Sequence, residues 1–431
     1  MGYLMDRTVW VLIFIVVFSL SELATPSFAL VRAANSKQVV VPDNYPTIQT
    51  AIDHASAGDT VYVKAGVYYE MLVINKTLTL AGEDRASTVI NANQSEWSDR
   101  DIIDVYANNV TITGFTVENA FGTPEPVSSP SGIVLKSTSN CNVSNNIIAY
   151  VFHGGGIVLD GSSNCTIEGN YIKNSSSGIS IAGNNNELII DGSNLIADNI
   201  VVGSFGSGIS MGSNTVNNKI MDNYFGNCSG SGLSMESCSN NTFVGNTFAY
   251  NQFAGIHIDP TPTTTNNTFY HNDFVENIFE KEVLQVDLLG DKNSYNELAN
   301  YWDNGKEGNY WSDYLTIYPN ATETDRTGIG NTPYSLLTNI GRGLAYQDRF
   351  PLIQPFSNTT IVLPSPLPTI MPSQSSRNSS SPAGLLQPTE IPIWLVFLVG
   401  IIIVAALTSL AYLRRKRKPK SASQPEGSPF C

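Results

Sequence analysis

The sequence predicts an all-β fold, a right-handed parallel β-helix with a short N-terminal capping helix, followed by one C-terminal transmembrane helix. Three observations lead to this prediction. A Gly-initiated word recurs along the middle of the chain, Asn residues recur at the same interval, and a long uncharged apolar run lies near the C-terminus. The 431 residues are 42% hydrophobic and only 14% charged, which suits a β-rich protein with many turns.

The internal repeat is the strongest feature of the sequence. The Gly-initiated words are GIVLK at Gly132, GIVLD at Gly156, GISIA at Gly178, GISMG at Gly208, GLSME at Gly232 and GIHID at Gly255. An Asn accompanies each word, at Asn146, Asn170, Asn199, Asn223, Asn246 and Asn272. The Gly spacings are 24, 22, 30, 24 and 23, and the Asn spacings are 24, 29, 24, 23 and 26. Both markers lengthen at the same unit, which indicates a true repeat with one insertion.

Each unit consists of runs of four or five residues with alternating polarity, separated by Gly, Asn and Ser clusters. Such runs are typical of strands and such clusters of turns. Helical repeats are excluded because no unit has ten residues free of these clusters. Short strands that cannot bury a face alone must stack. A right-handed parallel β-helix achieves this, with each rung about 4.8 Å above the last.

The recurring Asn has a structural interpretation. Asn tolerates the left-handed backbone conformation of a sharp corner, and its amide both donates and accepts hydrogen bonds. We therefore expect a ladder of stacked Asn side chains, with Ile167, Ile220, Phe243 and Phe269 pointing inward. The residues of the preceding row are Cys141, Cys165, Asn218, Asn241 and Asn267. Its two Cys are expected to be stacked free thiols, with a disulfide as the alternative.

The N-terminal segment 41–83 is expected to contain the cap and the first rungs. After Pro46, the residues Ile48, Ala51, Ile52 and Ala55 fall on one face of a helix that can lie over the first rung. The words PTIQTAID, AGDTVYVKAGVYYE and INKTLTLAG in this segment resemble the N-terminal region of the pectin-lyase-like β-helix proteins.

The other end of the repeat resembles the NosD-type family. The matching words are GNYWSDY, TGIGNTPY and DRFPL. The resemblance implies a secreted β-helix spanning 41–355, with regular rungs at 132–280 and a C-terminal cap at 293–355. It also implies two functional alternatives. The family name comes from an accessory factor of copper-enzyme maturation, and related repeats occur in envelope proteins and in proteins that bind or process carbohydrates.

The termini predict a membrane-anchored surface protein. Residues 1–29 have the pattern of a signal peptide, with an apolar run after Arg7. The Ser-, Thr- and Pro-rich segment 356–392 is expected to be an extended stalk. Residues 393–413 are uncharged and long enough to cross a bilayer, and the basic tail 414–431 follows them. The positive-inside rule makes this tail cytoplasmic and the β-helix extracellular.

The charge balance excludes one class of partner. Between Leu30 and Pro392 the chain has 16 basic and 34 acidic residues. Such a domain repels polyanions, so we expect no nucleic-acid partner. A polysaccharide or another envelope protein is the expected partner outside the membrane.

Catalysis is the alternative to a structural or glycan-binding role. Polysaccharide lyases and hydrolases use clustered acids. The candidates here are Asp160, Asp191, Asp222, Glu236 and Asp259. The repeat region has no adjacent Asp pair, so a solvated acidic face is the preferred interpretation. Tyr171, Tyr224 and Tyr250 are aromatics that could follow a polymer along a non-catalytic surface.

Metal sites are weakly indicated. Copper favours His, Met or Cys ligands, and His257 and His271 are the candidates, although neither shows ligand spacing. The loop TETDRTGIGN resembles a depleted acidic loop of the NosD-type family, which makes calcium a second candidate metal, with Asp325 and Asn331 as its ligands. Core or corner positions are the simpler interpretation of the two His, and the loop offers few oxygen ligands for calcium.

Glycosylation sequons are frequent in the outer part of the chain. The sites considered are Asn75, Asn109, Asn164, Asn227, Asn358 and Asn378. A repeat rich in Asn, Ser and Thr produces such sequons by composition alone.

Overall fold

The computed structural model describes residues 36–92, 100–120, 129–182, 191–259, 263–280, 282–288, 300–336 and 346–357. The signal peptide, the stalk beyond residue 357, the transmembrane helix and the basic tail all lie outside the described residues. The chain divides into the units Met1–Leu367 and Pro368–Cys431, and only the first contains described residues. Among those residues, no helix has the length and apolar character needed to cross a bilayer.

The described chain winds through three parallel sheets. Sheet one consists of Gln38–Val41, Thr60–Val63, Thr79–Gly82, Thr111–Thr113, Asn142–Ser144, Thr166–Glu168, Leu195–Ala197, Lys219–Met221, Thr242–Val244 and Thr268–Tyr270. Sheet two consists of Gly66–Tyr68, Thr88–Asn91, Thr116–Ala120, Ile200–Val202, Tyr224–Gly226, Thr247–Ala249, Asp273–Val275 and Tyr310–Trp311. Sheet three consists of Leu72–Ile74, Ile103–Val105, Ile133–Lys136, Ile209–Met211, Leu233–Glu236, Ile256–Asp259 and Val286–Leu288.

Two long strands, Ile147–Asp160 and Tyr171–Ala182, bend through both sheet two and sheet three and join them. Successive strands of the chain fall in sheets one, two and three in turn, and each pairs in parallel with the strand one turn later. The Gly-initiated words are the strands of sheet three. The described strands thus form the expected parallel β-helix.

Shorter elements complete the described chain. The helix Ile48–His54 buries Ile48, Ala51 and Ile52 against the first turn, as expected for the capping helix, and the helix Tyr314–Ile317 lies in the C-terminal part. The small parallel pair is Asp191–Gly192 with Thr215–Val216. The antiparallel pairs are Ile278–Phe279 with Glu282–Val283, Glu323–Thr324 with Ile329–Gly330, and Tyr334–Leu336 with Tyr346–Asp348.

The core is a set of stacked apolar rows. Ile167, Ile220, Phe243 and Phe269 are all fully buried on the inner side of sheet one. The Phe243 and Phe269 rings stack with centroids 4.6 Å apart. Such stacking follows from the repeat, because the same inward position recurs one rung higher. The apolar surface of each rung is therefore buried by its neighbours.

The Asn residues at the turn from sheet one to sheet two form a continuous hydrogen-bonded row. The Asn223 amide oxygen accepts from the backbone N–H and side-chain Nδ2 of Asn199, both at 2.9 Å. The Asn246 oxygen accepts from Asn223 in the same way. The complete row is Asn146, Asn170, Asn199, Asn223, Asn246, Asn272 and Asn309. It ends on the buried carboxylate of Asp348, which accepts from the Asn309 N–H at 2.7 Å.

Two further rows repeat this chemistry at other turns. At the entry to sheet one, the row begins with Cys141 and Cys165 and continues through Asn194, Asn218, Asn241, Asn267 and Asn300. At the turn from sheet two to sheet three, Cys228 N–H donates to Asn251, and Asn251 Nδ2 donates to Asn277 at 2.9 Å. The four described Cys are all free and buried. Backbone groups at the corners, which no strand can pair, therefore obtain partners from the next rung.

The left-handed residues lie one position earlier than the sequence analysis places them. In the first row they are Asn145, Gly169, Asp198, Asp222, Gly245 and His271, with φ between 53° and 70°. The ladder Asn that follows is not left-handed. The reason is geometric: the left-handed residue turns the chain outward, and the next side chain then points into the corner, where its amide reaches the adjacent rung.

A fourth row contains one of the acids predicted as catalytic. It lies after the sheet-three strands and consists of Thr138, Ser162, Asp191, Thr215, Cys238 and Thr264, all buried. The Ser162 N–H donates to the Asp191 carboxylate, just as Thr138 N–H donates to the Ser162 hydroxyl at 3.0 Å. Burial raises the pKa of Asp191 to about 7, against the lowering effect of the N–H donors of Ser162 and Gly161. Asp191 is thus a buried corner residue that accepts from the neighbouring rung, which favours a structural role over a catalytic one.

We expect Asn223→Leu to lower the free energy of unfolding by at least about 3 kcal/mol, because several buried donors and carbonyls lose their partners. Urea denaturation of the full chain in detergent measures this. Lys219→Ala, an exposed change on the same turn, is the control and should alter stability by less than about 0.5 kcal/mol. An Asn223→Leu protein as stable as this control would contradict the structural interpretation of the row.

We also expect Asp191→Asn to stabilise the protein at pH 8 and to have little effect at pH 4. The raised pKa means that the folded protein holds a proton which the unfolded chain releases above about pH 4. This stabilising contribution is complete below pH 4 and is lost as the pH rises through 7. The predicted gain at pH 8 is on the order of 4 kcal/mol.

Thermal unfolding of both proteins across this pH range makes the measurement. Burial also raises the pKa of Asp348 to about 7, but that residue is common to both proteins and cancels in the comparison. A difference between the two proteins that did not change with pH would contradict the raised pKa of Asp191.

Candidate functional site

The outer face of sheet three carries hydroxyl, imidazole and carboxylate side chains in register. Residues alternate along each strand, so every second one points away from the core. One outward row consists of Asp104, Val134, Val158, Ser180, Ser210, Ser234, His257 and Asp287. A second outward row includes Lys136, Asp160, Glu236 and Asp259. The first row crosses eight strands, a length of roughly 34 Å at about 4.8 Å per strand.

The N-terminal end of this face is an ion-paired cluster. Lys136 Nζ lies 2.9 Å from Asp101 Oδ2 and 2.6 Å from Asp104 Oδ1, and 5.4 Å from the centre of the Tyr106 ring. Burial alone would lower the pKa of Lys136, but the carboxylates of Asp104 and Asp101 raise it above its ordinary value. Lys136 is therefore a fixed cation and not a candidate base.

The middle of the face is low and lined by small residues. Ser180, Ser210 and Ser234 follow each other in register on three successive strands, and each is partly exposed. Gly206 and Gly230 stack beside them, joined by a backbone hydrogen bond of 3.0 Å. Larger side chains stand at both ends of this stretch. We call the stretch between Asp160 and His257, with its three-serine floor, the trough.

The C-terminal end of the trough is a His–carboxylate pair beside two aromatic rings. His257 Nδ1 lies 2.7 Å from Asp287 Oδ2, and the Asp287 side chain is fully buried. The Phe253 ring packs edge-on against His257 and Phe279, with centroid distances of 5.3 and 4.9 Å. Phe279 belongs to the antiparallel hairpin that projects between sheets two and three in this turn.

The structure brings some of the predicted acids together and separates others. Glu236 and Asp259 occupy matched positions on neighbouring strands of sheet three. Asp160 lies on the same face but is paired in register with Lys136. Asp222 is exposed at the turn from sheet one to sheet two, and Asp191 is buried in its corner.

The four metal candidates do not converge. His257 pairs with Asp287, whereas His271 Nε2 contacts Glu307 at 2.6 Å and its ring stacks on Phe356. Asp325 is exposed in a hairpin turn, and the Asn331 oxygen accepts from the Thr322 N–H at 3.1 Å. Within the described ranges, no three His, Cys, Asp or Glu side chains are grouped so that they could hold a metal ion.

The remaining sequence candidates have simple positions. Asn75, Asn109, Asn164 and Asn227 are exposed, while Asn358 and Asn378 lie outside the described residues. Tyr250 is 52% exposed at a corner, but Tyr171 and Tyr224 are partly buried on the outer side of sheet two. The three tyrosines therefore do not form one exposed track.

Sequence analysis missed Lys136, Ser234 and Asp287 as site residues. Lys136 and Ser234 occupy the variable positions of the Gly-initiated words, so aligning those words as strands of one sheet could have identified them. Asp287 lies after the inserted hairpin, in the word QVDLL that lacks the usual Gly. No sequence signal placed it beside His257.

Comparison with solved structures shows distant similarity in fold. The catalytic domain of a GH87 α-1,3-glucanase is 18% identical, with a TM-score of 0.45 over 59% of this chain and 46% of that one. The A-module of the Azotobacter vinelandii mannuronan C-5 epimerase AlgE6 is 14% identical, with a TM-score of 0.39 over 61% of this chain and 88% of that one. PfbA, a surface adhesin of Streptococcus pneumoniae, is 14% identical, with a TM-score of 0.45 over 59% and 82% of the respective chains.

The chain spans about half the length of the glucanase domain. No curated protein sequence matches the chain. A family pattern does match, described as a right handed beta helix region, over residues 48–195 and 131–280. Together these two matches cover more than half of the sequence, and they coincide with the rungs seen in the structure. The chain therefore belongs to the right-handed β-helix family.

Proposed function

We propose that this protein is a membrane-anchored surface protein whose β-helix binds a neutral glycan along the outer face of sheet three. The observation that carries the proposal is the trough, a low polar stretch between Asp160 and His257 on a rigid sheet. Its three in-register serines offer hydroxyls at a spacing of about 4.8 Å. That spacing is close to the length of one sugar unit, so a chain lying along the trough meets a similar group at each step.

The rigidity of the floor supports this assignment. Every strand under the trough pairs on both sides, and the core row beneath it, Ile179, Ile209 and Leu233, is fully buried. A binding surface that does not have to become ordered costs little entropy on association. The adjacent Phe253 and Phe279 rings provide apolar faces of the kind that pack against sugar C–H groups.

The charge of the face selects the class of glycan. The described strands of sheet three carry Asp104, Asp160, Glu236, Asp259 and Asp287 on the outer side, against Lys136 and His257. Lys136 is already compensated by two carboxylates. A polyuronate would meet like charge from Asp160 at one end of the trough and from Glu236 and Asp259 near the other. Neutral polysaccharides avoid this repulsion.

A polysaccharide hydrolase is the second candidate. Glu236 and Asp259 stand on adjacent strands in matched register, which places their backbones about 4.8 Å apart. Retaining glycosidases hold their two carboxyl groups about 5–5.5 Å apart, a separation that side chains on neighbouring strands can reach. A lyase acting on uronates is disfavoured by the charge of the face, and a copper-maturation role rests on the NosD resemblance alone.

The membrane anchor rests on the sequence. The uncharged segment 393–413 followed by the basic tail 414–431 supports a single span with the β-helix outside. The last described residues are held firmly at the β-helix: the Phe356 and Ser357 N–H groups donate to Asp273 at 2.7 and 3.0 Å. The Pro-rich stalk of the proposed architecture then starts directly after a fixed point.

We expect the full chain in detergent to bind neutral polysaccharides such as xylan or α-1,3-glucan and not alginate or polygalacturonate. Affinity electrophoresis in gels containing each polymer measures this. Ser210→Tyr, which fills the trough, should weaken retention at least tenfold. Lys219→Tyr, an outward change on sheet one, is the matched control and should bind like wild type. Retention only by the uronate polymers would contradict the proposal.

We expect the full chain to float with liposomes in a density gradient, because the 21 uncharged and mostly apolar residues 393–413 gain a large transfer free energy in the bilayer. A variant with Ile402→Arg and Ala405→Arg, which places two charges in the span, should remain at the bottom. In molecules inserted with the tail 414–431 inside the vesicle, protease added outside should remove the β-helix and leave the tail intact. Flotation of the doubly charged variant would contradict anchoring by residues 393–413.

A further inference from the structure

We propose that Ser234, His257 and Asp287 form a nucleophilic site that hydrolyses acyl esters at the C-terminal end of the trough. The three residues occupy the same outward row on three successive strands of sheet three. They come from different turns of the β-helix, so parallel stacking alone aligns a hydroxyl, an imidazole and a carboxylate. This activity goes beyond glycan binding and does not use the Glu236–Asp259 pair.

The carboxylate and imidazole already have the geometry of an orienting pair. Asp287 Oδ2 accepts from His257 Nδ1 at 2.7 Å. The Asp287 side chain is fully buried and the His257 side chain is 20% exposed. A buried carboxylate on Nδ1 fixes the tautomer in which Nε2 carries the lone pair. His257 therefore presents its basic nitrogen away from Asp287, toward the solvent-facing side of the trough.

Ser234 provides the hydroxyl on the other side of His257. It is paired in register with His257 on the adjacent strand and is partly exposed. Its hydroxyl makes no hydrogen bond within the part of the chain that the structure describes. The hydroxyl is thus free to turn toward His257 Nε2 when a substrate binds. In unliganded hydrolases the corresponding hydrogen bond is often long, and it shortens when the substrate is bound. The Ser210 hydroxyl, one strand farther along the row, can donate to a carbonyl oxygen above Ser234.

The reaction balances with water as the only co-reactant. His257 Nε2 accepts the Ser234 proton as Oγ attacks the ester carbonyl carbon. The tetrahedral intermediate collapses, the C–O bond to the alcohol breaks, and the alcohol leaves with the proton from His257. Water then attacks the acyl-serine with His257 again as base, which releases a carboxylic acid and regenerates Ser234.

The surroundings indicate the substrate class. Phe253 and Phe279 form an apolar wall beside His257, suited to a small acyl group. Glu236 and Asp259 lie nearby on the same strands and disfavour an anionic ester. A neutral glycan carrying O-acyl groups fits both features. The glycan part of this assignment rests on the proposed function, whereas the reactivity of Ser234 does not.

A fluorophosphonate probe tests the site directly, because it forms a covalent adduct only with an activated serine. The full chain in detergent is incubated with fluorophosphonate–biotin, and mass spectrometry locates the adduct. We expect labelling of Ser234, abolished in Ser234→Ala and slowed at least 100-fold in His257→Gln. Ser144→Ala, at a partly exposed outward position on sheet one, is the matched control and should label Ser234 at the wild-type rate.

A second measurement separates an orienting role of Asp287 from a structural one. In Asp287→Asn, labelling of Ser234 should slow at least tenfold, and the pH profile of labelling should change. Circular dichroism and the Tm of Asp287→Asn and of His257→Gln should show that both variants keep the fold. Release of acetate from acetylated xylan by wild type, absent in Ser234→Ala, would support the glycan ester as substrate. Labelling of Ser234 without polysaccharide binding would refute the proposed function alone. No adduct on Ser234, or equal labelling of His257→Gln, would overturn the site.

Discussion

The whole structure depends on one interaction, the hydrogen bond from each corner amide to the rung above it. A parallel β-helix satisfies its strand backbone through sheet pairing, but the three turns per rung leave backbone groups that no strand reaches. The Asn rows at these turns supply the missing partners. In each pair, one side-chain oxygen accepts from both the N–H and the Nδ2 of the rung below, and the row ends on the buried carboxylate of Asp348. The rungs are thereby held in a single register.

Register matters for function because every feature of the outer face is built from different turns. The Ser234, His257 and Asp287 side chains are 23 and 30 residues apart in sequence, yet they stand side by side on sheet three. A slip of one residue in any rung would turn the outward row into the core. The corner rows and the stacked Phe residues oppose such a slip from both sides of the strands. Strand register places these three side chains next to each other, which distinguishes the arrangement from sites built on mobile loops.

Much of the fold follows from sequence periodicity, whereas the site follows only in part. Two markers at one interval were sufficient to predict the parallel β-helix, and the inward positions of Ile167, Ile220, Phe243 and Phe269 follow from alternation alone. The left-handed corner residue of the first row could not be assigned from Asn frequency, because that position holds Asn, Gly, Asp or His, whereas Asn recurs at the next position. The sequence favoured a solvated position for Asp191. It does not show that Asp191 occupies a corner position that Thr or Ser occupies in other rungs. Asp287 could not be predicted as a neighbour of His257, because the hairpin before it interrupts the regular interval of the sequence repeat.

The central claim is that corner amides hold the rungs in register, and hydrogen–deuterium exchange of the full chain tests it most directly. The backbone N–H groups of Asn146, Asn170 and Asn223 donate to side chains of the next rung and to no strand. Our account predicts that these amides exchange as slowly as those of the flanking strands. Fast exchange at the corners beside protected strands would contradict it, because the stack would then be held by its sheets alone.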